Sequence, residues 1–122
     1  MPQPNVNLLF RAFSDRTRLR ILHLLLKGEL CVCDIVTVVR VPQPTASRHL
    51  AYLLRSGLIT KRKQGLWSYY KLAPAISLLH RNLIKCLKEC FRSVPELAAD
   101  SRRARSNNIC CLPVSQTARR SR

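Results

Sequence analysis

The chain has 122 residues, and its 22 Lys and Arg against six Asp and Glu give a formal net charge of +16. At this length we expect one folded domain, with enough hydrophobic residues (47%) to form a core. No apolar run approaches the roughly 20 residues of a spanning helix, and the N-terminus lacks a signal-peptide pattern, so we expect a cytoplasmic protein that does not bind membranes. The charge favours binding to nucleic acid.

Three helices are predicted in the first half of the chain. The first has Ser14 as its N-cap and ends before Gly28, with leucines at helical spacing between them. A short helix is predicted from about Leu30, although its β-branched residues would also suit a strand. The third spans residues 43–56, because Pro44 stands at its first turn and a glycine follows its end.

The second half begins with two strands, 58–64 and 66–72, which we predict to form a basic hairpin joined at Gln64-Gly65. Pro74 is then expected to open a long amphipathic helix. From residue 97 to residue 122 the chain is rich in arginine, and we interpret it as a flexible basic tail behind a folded domain of residues 1–96. The apolar stripe of the long helix consists of Ile76, Leu79, Leu83, Cys86, Leu87, Cys90 and Val94.

Two short helices in tandem followed by a basic hairpin predict a winged helix-turn-helix, a mainly α-helical fold with a β-hairpin wing. The third helix has the size and polar face to enter the DNA major groove, where Ser, Thr and Gln contact bases and Arg positions the helix on phosphates. The wing would lie along the flanking backbone or the minor groove. The predicted DNA contacts are Gln43, Thr45, Ser47, Arg48 and His49 from the helix, and Arg62, Lys63 and Gln64 from the wing.

The six cysteines of a cytoplasmic chain are expected to be thiols, so their spacing is interpreted as metal or redox chemistry. Cys31 and Cys33 form a Cys-x-Cys pair at the predicted second helix. On a regular helix such residues project about 200° apart, so we expect that one ion can gather both sulfurs only by distorting the helix. The alternative is that both are small buried hydrophobic residues.

Four segments resemble the ArsR/SmtB family of metal-responsive repressors, and together they cover roughly residues 8–72. The Glu29–Asp34 segment (ELCVCD) is the most specific and is typical of the family's arsenic-responsive members. The other three are Phe10–Leu19 (FRAFSDRTRL), Gln43–Leu50 (QPTASRHL) and Ser56–Leu58 leading into Arg62–Trp67 (RKQGLW). The resemblance implies a homodimer that pairs through its first and last helices. It further implies release of a palindromic double-stranded DNA operator when trivalent arsenic or antimony binds Cys31 and Cys33.

One position departs from that pattern, because the arsenic-responsive members carry a third cysteine where this chain has Val36. Trivalent arsenic favours three thiolates, so the third ligand, or a separate site, would have to come from elsewhere. The candidates are Cys86, Cys90, Cys110 and Cys111. For Cys86 and Cys90, packing in the core is the favoured interpretation.

Three other functions are weighed against this one. The same fold could respond to oxidants through a disulfide, or it could respond to cadmium, lead or zinc. It could also be an architectural protein that binds DNA without sequence preference. An enzyme is not expected, because the sequence has no paired carboxylates, no glycine-rich phosphate loop and no histidine close to Cys31.

Overall fold

The computed structural model describes residues 5–91 and 93–106. Within those ranges, no helix is long and apolar enough to cross a membrane. The predicted fold class is confirmed, since helices surround a small antiparallel sheet with strand order β1-β3-β2. The elements are α1 (Val6–Phe13), α2 (Arg16–Leu25), β1 (Leu30–Cys31), α3 (Val32–Val39), α4 (Gln43–Ser56), β2 (Ile59–Gln64), β3 (Trp67–Leu72), α5 (Leu78–Cys90) and α6 (Pro95–Ser106).

The hydrophobic core lies where α2, α3 and α4 meet. Leu22, Ile35 and Leu50, one from each helix, are completely buried. Leu58 and Ile59 bring the start of the hairpin against the same core. The α3–α4 pair and the hairpin are therefore held by one packed unit, which fixes how the recognition helix and the wing are presented.

The turn between α3 and α4 makes this pair a helix-turn-helix. Arg40 ends α3 in the left-handed conformation (φ 64°), and its N–H donates to the carbonyl of Val36. Helix α4 ends as predicted at Gly57, whose φ of 83° is a conformation that glycine adopts without steric cost. The predicted bounds of α4 are confirmed.

Two helix starts were predicted wrongly. Asp15, not Ser14, caps α2, because its carboxylate accepts from the Arg18 N–H (3.0 Å) while Ser14 ends the separate helix α1. Helix α5 begins at Leu78 rather than at Pro74, because the Ser77 hydroxyl accepts from the N–H of His80 and caps it there. The hairpin is confirmed, with each strand one residue shorter at its start than predicted.

The tail prediction is wrong for residues 97–106, which lie in helix α6. Leu97 and Asp100 are buried, and the Asp100 carboxylate accepts from Arg20 Nε (2.8 Å) and from Arg103. Arg20 and Arg103 also donate to carbonyls at the end of α3 (2.8 Å each). These contacts dock α6 onto α2 and α3, so this part of the basic segment belongs to the folded domain. Residues 107–122 of the predicted tail lie outside the described residues.

Candidate DNA interface and cysteine site

Helix α4 separates its two faces as the sequence predicts. Ala46, Leu50 and Leu53 are fully buried against the core. On the other face, the N-terminal turns present Gln43, Ser47 and Arg48 as exposed side chains, whereas Thr45 and His49 are half-buried. Exposed amide, hydroxyl and guanidinium groups at the start of a helix are the groups that contact bases and phosphates in a major groove.

His49 differs from the other predicted contacts because protein groups surround its ring. Arg18 Nη1 donates to His49 Nδ1 (3.3 Å), and the Asp15 carboxylate lies 3.8 Å from the same nitrogen. Burial lowers the pKa of His49, so the ring is neutral near pH 7. The Arg18 guanidinium also lies 4.3 Å from the centre of the Tyr52 ring and donates to the carbonyl of Arg11. Arg18, which the sequence analysis missed, therefore fixes α4 to α1 and α2.

The wing carries the three predicted contacts on β2, all exposed. Arg62 uses its guanidinium within the protein, donating through Nε and Nη2 to the two carboxylate oxygens of Glu29 (2.9 and 2.8 Å). Its Nη1 donates to the side-chain oxygen of Gln64 (2.6 Å). The hydrogen bond with Glu29 raises the pKa of Arg62. Lys63 completes the basic edge of the wing.

The two cysteine sulfurs of the Cys-x-Cys pair are in contact, with Cys31 Sγ 3.0 Å from Cys33 Sγ. The expectation that they could meet only by distorting a helix is wrong. Cys31 is the N-cap of α3, with extended backbone (φ −86°, ψ 165°), and it pairs with β3, so only Cys33 is on the helix. The end of a strand and the first turn of a helix therefore bring both sulfurs to one point.

Asp34 completes this group, because its carboxylate and the two sulfurs offer ligand atoms that all lie within 4.8 Å of one another. Asp34 is buried, and so is Cys31, whereas Cys33 is half-buried. Cys33 is disulfide-bonded, so the expectation that all six cysteines are thiols is wrong for this residue. Burial raises the pKa of the Cys31 thiol to about 12, while the N–H groups of Asp34 and Cys33 act in the opposite direction. Asp34 was not among the predicted site residues, although it directly follows the Cys-x-Cys pair and its carboxylate is a metal-ligating group.

Of the other candidate cysteines, Cys86 and Cys90 are not brought to this group. Cys86 and Cys90 lie one turn apart on α5 and are both exposed, so their predicted packing in the core does not occur within this chain. In the part of the chain that the structure describes, neither joins a group of three metal-ligating side chains. Cys110 and Cys111 lie outside the described residues.

The chain is similar to known bacterial regulators. Residues 15–61 match the family model described as "Bacterial regulatory protein, arsR family". The chain is 44% identical over 108 residues to the arsenical resistance operon repressor of Escherichia coli K12, covering 84% of this chain and 92% of the relative.

Solved structures give the same picture. The regulator HlyU from Vibrio cholerae is 31% identical, with a TM-score of 0.63 over 70% of this chain and 90% of that one. A homodimeric winged helix-turn-helix domain from Mycobacterium bovis, described as a possible ArsR-family regulator, is 26% identical with a TM-score of 0.58. That match covers 84% of this chain and 86% of that one.

Proposed function

Because the chain belongs to the ArsR family of bacterial transcriptional repressors, we propose that it represses an arsenic-resistance operon in the cytoplasm. In this proposal a homodimer binds a palindromic double-stranded operator. Trivalent arsenic or antimony then binds Cys31 and Cys33, and the protein leaves the DNA. The observation that carries the proposal is the contact between the two sulfurs at the start of α3.

The chemistry of the cysteine site supports a soft, thiophilic ligand. Once a reductant has returned Cys33 to the thiol, arsenite can exchange two of its hydroxyl groups for the two cysteine sulfurs, and the two thiol protons leave with those hydroxyls as water. Because the pKa of Cys31 is raised to about 12, its sulfur carries a proton at neutral pH, and a ligand must displace that proton. A thiophilic ion does so readily, whereas harder ions prefer oxygen ligands.

The DNA side of the proposal depends on α4 and the wing. Gln43, Thr45, Ser47 and Arg48 are the proposed major-groove contacts, and Arg62, Lys63 and Gln64 are the proposed contacts of the wing. His49 is retained as a contact through the edge of its ring that faces away from Arg18. The net charge of +16 adds an attraction to phosphate that does not depend on sequence.

Dimerisation is supported by apolar side chains left exposed on the outer helices. Val6 and Phe10 of α1 are about half exposed; Ile76, just before α5, is 50% exposed, and Leu78 at the start of α5 is 67% exposed. Exposed apolar groups favour burial against a second molecule. A twofold dimer would present two α4 helices to two half-sites, which is why a palindromic operator is part of the proposal.

A second ligand class is favoured by one observation, the position of the Asp34 carboxylate beside the two sulfurs. Two thiolates and one carboxylate form a mixed sulfur and oxygen set that divalent cadmium or lead could occupy. Val36 stands where a third cysteine would favour arsenic. The two ligand classes are separated by titrating each ion against the same complex.

The test is a fluorescence-anisotropy titration with a duplex that the protein selects from random-sequence DNA, called the selected duplex below. Salt is fixed and a non-thiol reductant keeps the cysteines reduced. We expect arsenite to release the wild type but not the Cys31→Ser/Cys33→Ser variant, and a Cys86→Ser/Cys90→Ser variant serves as the matched control. Release of the Cys31→Ser/Cys33→Ser variant would place the sensor elsewhere. If cadmium but not arsenite released the protein from DNA, the second ligand class would be favoured. If the protein bound unselected DNA as tightly as the selected duplex, an architectural role would be favoured.

A further inference from the structure

One row of residues crosses the three-stranded sheet from the cysteine site to the wing. Cys31 of β1 pairs with Tyr69 of β3, and Tyr69 pairs on its other side with Arg62 of β2. Directly opposed residues in antiparallel strands place their side chains on the same face of the sheet. A candidate sensing cysteine and a candidate DNA-contacting arginine are therefore separated by a single residue.

The side chains of this row are in contact. Tyr69 is only 4% exposed and forms a small buried cluster with Cys31, against which Cys33 packs. On its other side, the guanidinium carbon of Arg62 lies 4.6 Å from the centre of the Tyr69 ring, the position of a cation–π interaction. Displacement of Tyr69 at the cysteine site would therefore also change the position of Arg62.

Glu29 makes a second connection between the same two places. It precedes Cys31 by two residues, and both of its carboxylate oxygens accept from the guanidinium of Arg62 (2.9 and 2.8 Å). This two-pronged geometry is the one that arginine also uses to bind a phosphate group. Glu29 thus occupies the side of Arg62 that a DNA phosphate would need.

We propose that the wing is an output of the cysteine site, and that Glu29 is the positioning residue that withholds Arg62 from DNA when ligand is bound. Strand β1 is only two residues long. A ligand that bridges Cys31 to Cys33 would fasten this strand to α3 and stabilise the Glu29–Arg62 pair. When DNA is present and ligand is absent, Arg62 exchanges Glu29 for a phosphate. This inference rests on the proposed function, and it adds that ligand binding acts through Arg62 of the wing.

The test is a thermodynamic cycle that measures affinity for the selected duplex with and without arsenite. The variants are Glu29→Gln, Arg62→Gln and the matched control Lys71→Gln, which removes one positive charge from the same hairpin at a position outside the row. Arsenite binding is followed separately through the near-ultraviolet absorbance of arsenic–thiolate bonds. This second readout shows whether a variant has lost the ligand or only its effect on DNA.

For the wild type and Lys71→Gln, we expect arsenite to weaken DNA binding by the same factor, within the roughly 5- to 150-fold range of ordinary coupling between sites. For Glu29→Gln and Arg62→Gln, we expect arsenite to bind normally but to weaken DNA binding by less than about one third of the wild-type factor. If arsenite weakened DNA binding of both variants as much as it does for the wild type, the inference would be overturned and the proposed function would stand. Absence of an arsenite effect in the wild type would overturn both.

Discussion

Cys31 Sγ lies 3.0 Å from Cys33 Sγ because the two residues belong to different elements, one ending a strand and the other in the first turn of a helix. The two sulfurs therefore lie side by side without any ligand. A ligand would not need to unwind α3 to gather both sulfurs, and in the proposed mechanism it acts on DNA binding by fastening β1 to α3.

The chemical state of Cys31 gives the first prediction. With its pKa raised to about 12, the Cys31 thiol keeps its proton at pH 8, and the side chain is buried. We expect iodoacetamide to label Cys31 at least about tenfold more slowly in the folded protein than in the urea-unfolded chain. Peptide mass spectrometry over a time course measures both rates. Equal labelling of Cys31 in the two states would contradict the burial of the site.

The exposed start of α4 gives a prediction about DNA binding. Arg48 is exposed on the predicted groove face, so Arg48→Gln should weaken binding to the selected duplex about tenfold. If Arg48 contacts a phosphate, the slope of log affinity against log salt should also become about one unit shallower. Arg55→Gln is the matched control, because Arg55 lies at the other end of α4 and stacks on Tyr52 (5.0 Å). An equal loss in both variants would argue against a specific role for Arg48.

The docking of α6 gives a prediction about stability. Asp100 is completely buried between Arg20 and Arg103, so Asp100→Asn leaves two guanidinium groups without their shared partner. We expect the free energy of unfolding to fall by about 3 kcal/mol, measured by urea denaturation. The control is Glu96→Gln on the same helix. Its ion pair with Arg16 is largely exposed, and its other oxygen lies 3.9 Å from Arg20 without a hydrogen bond, so this change should lower stability by less than about 1 kcal/mol. Similar values for both variants would show that Asp100 does not hold α6.

Local signals in the sequence predicted the DNA-binding half of the fold. Pro44 and Gly57 set the bounds of α4, and the spacing of Ala46, Leu50 and Leu53 identified its buried face. These signals depend only on neighbouring residues, which is why they can be recognised without a structure.

The elements that sequence reasoning missed depend on distant contacts. The extended backbone of Cys31 comes from pairing with Tyr69, 38 residues away along the chain. Helix α6 was interpreted as part of a tail because its arginines suggest a solvated segment, whereas Arg103 and the distant Arg20 enclose Asp100. In each case a stabilising partner lies far away along the chain, so the local sequence does not reveal it.

The central claim, that Cys31 and Cys33 bind the inducer, is tested most directly by arsenic X-ray absorption spectroscopy of the protein with one equivalent of arsenite. The account predicts at least two sulfur neighbours around arsenic in the wild type and in Cys86→Ser/Cys90→Ser. It predicts that these neighbours are lost in Cys31→Ser/Cys33→Ser. If arsenic kept its wild-type sulfur neighbours in Cys31→Ser/Cys33→Ser, the claim would be contradicted.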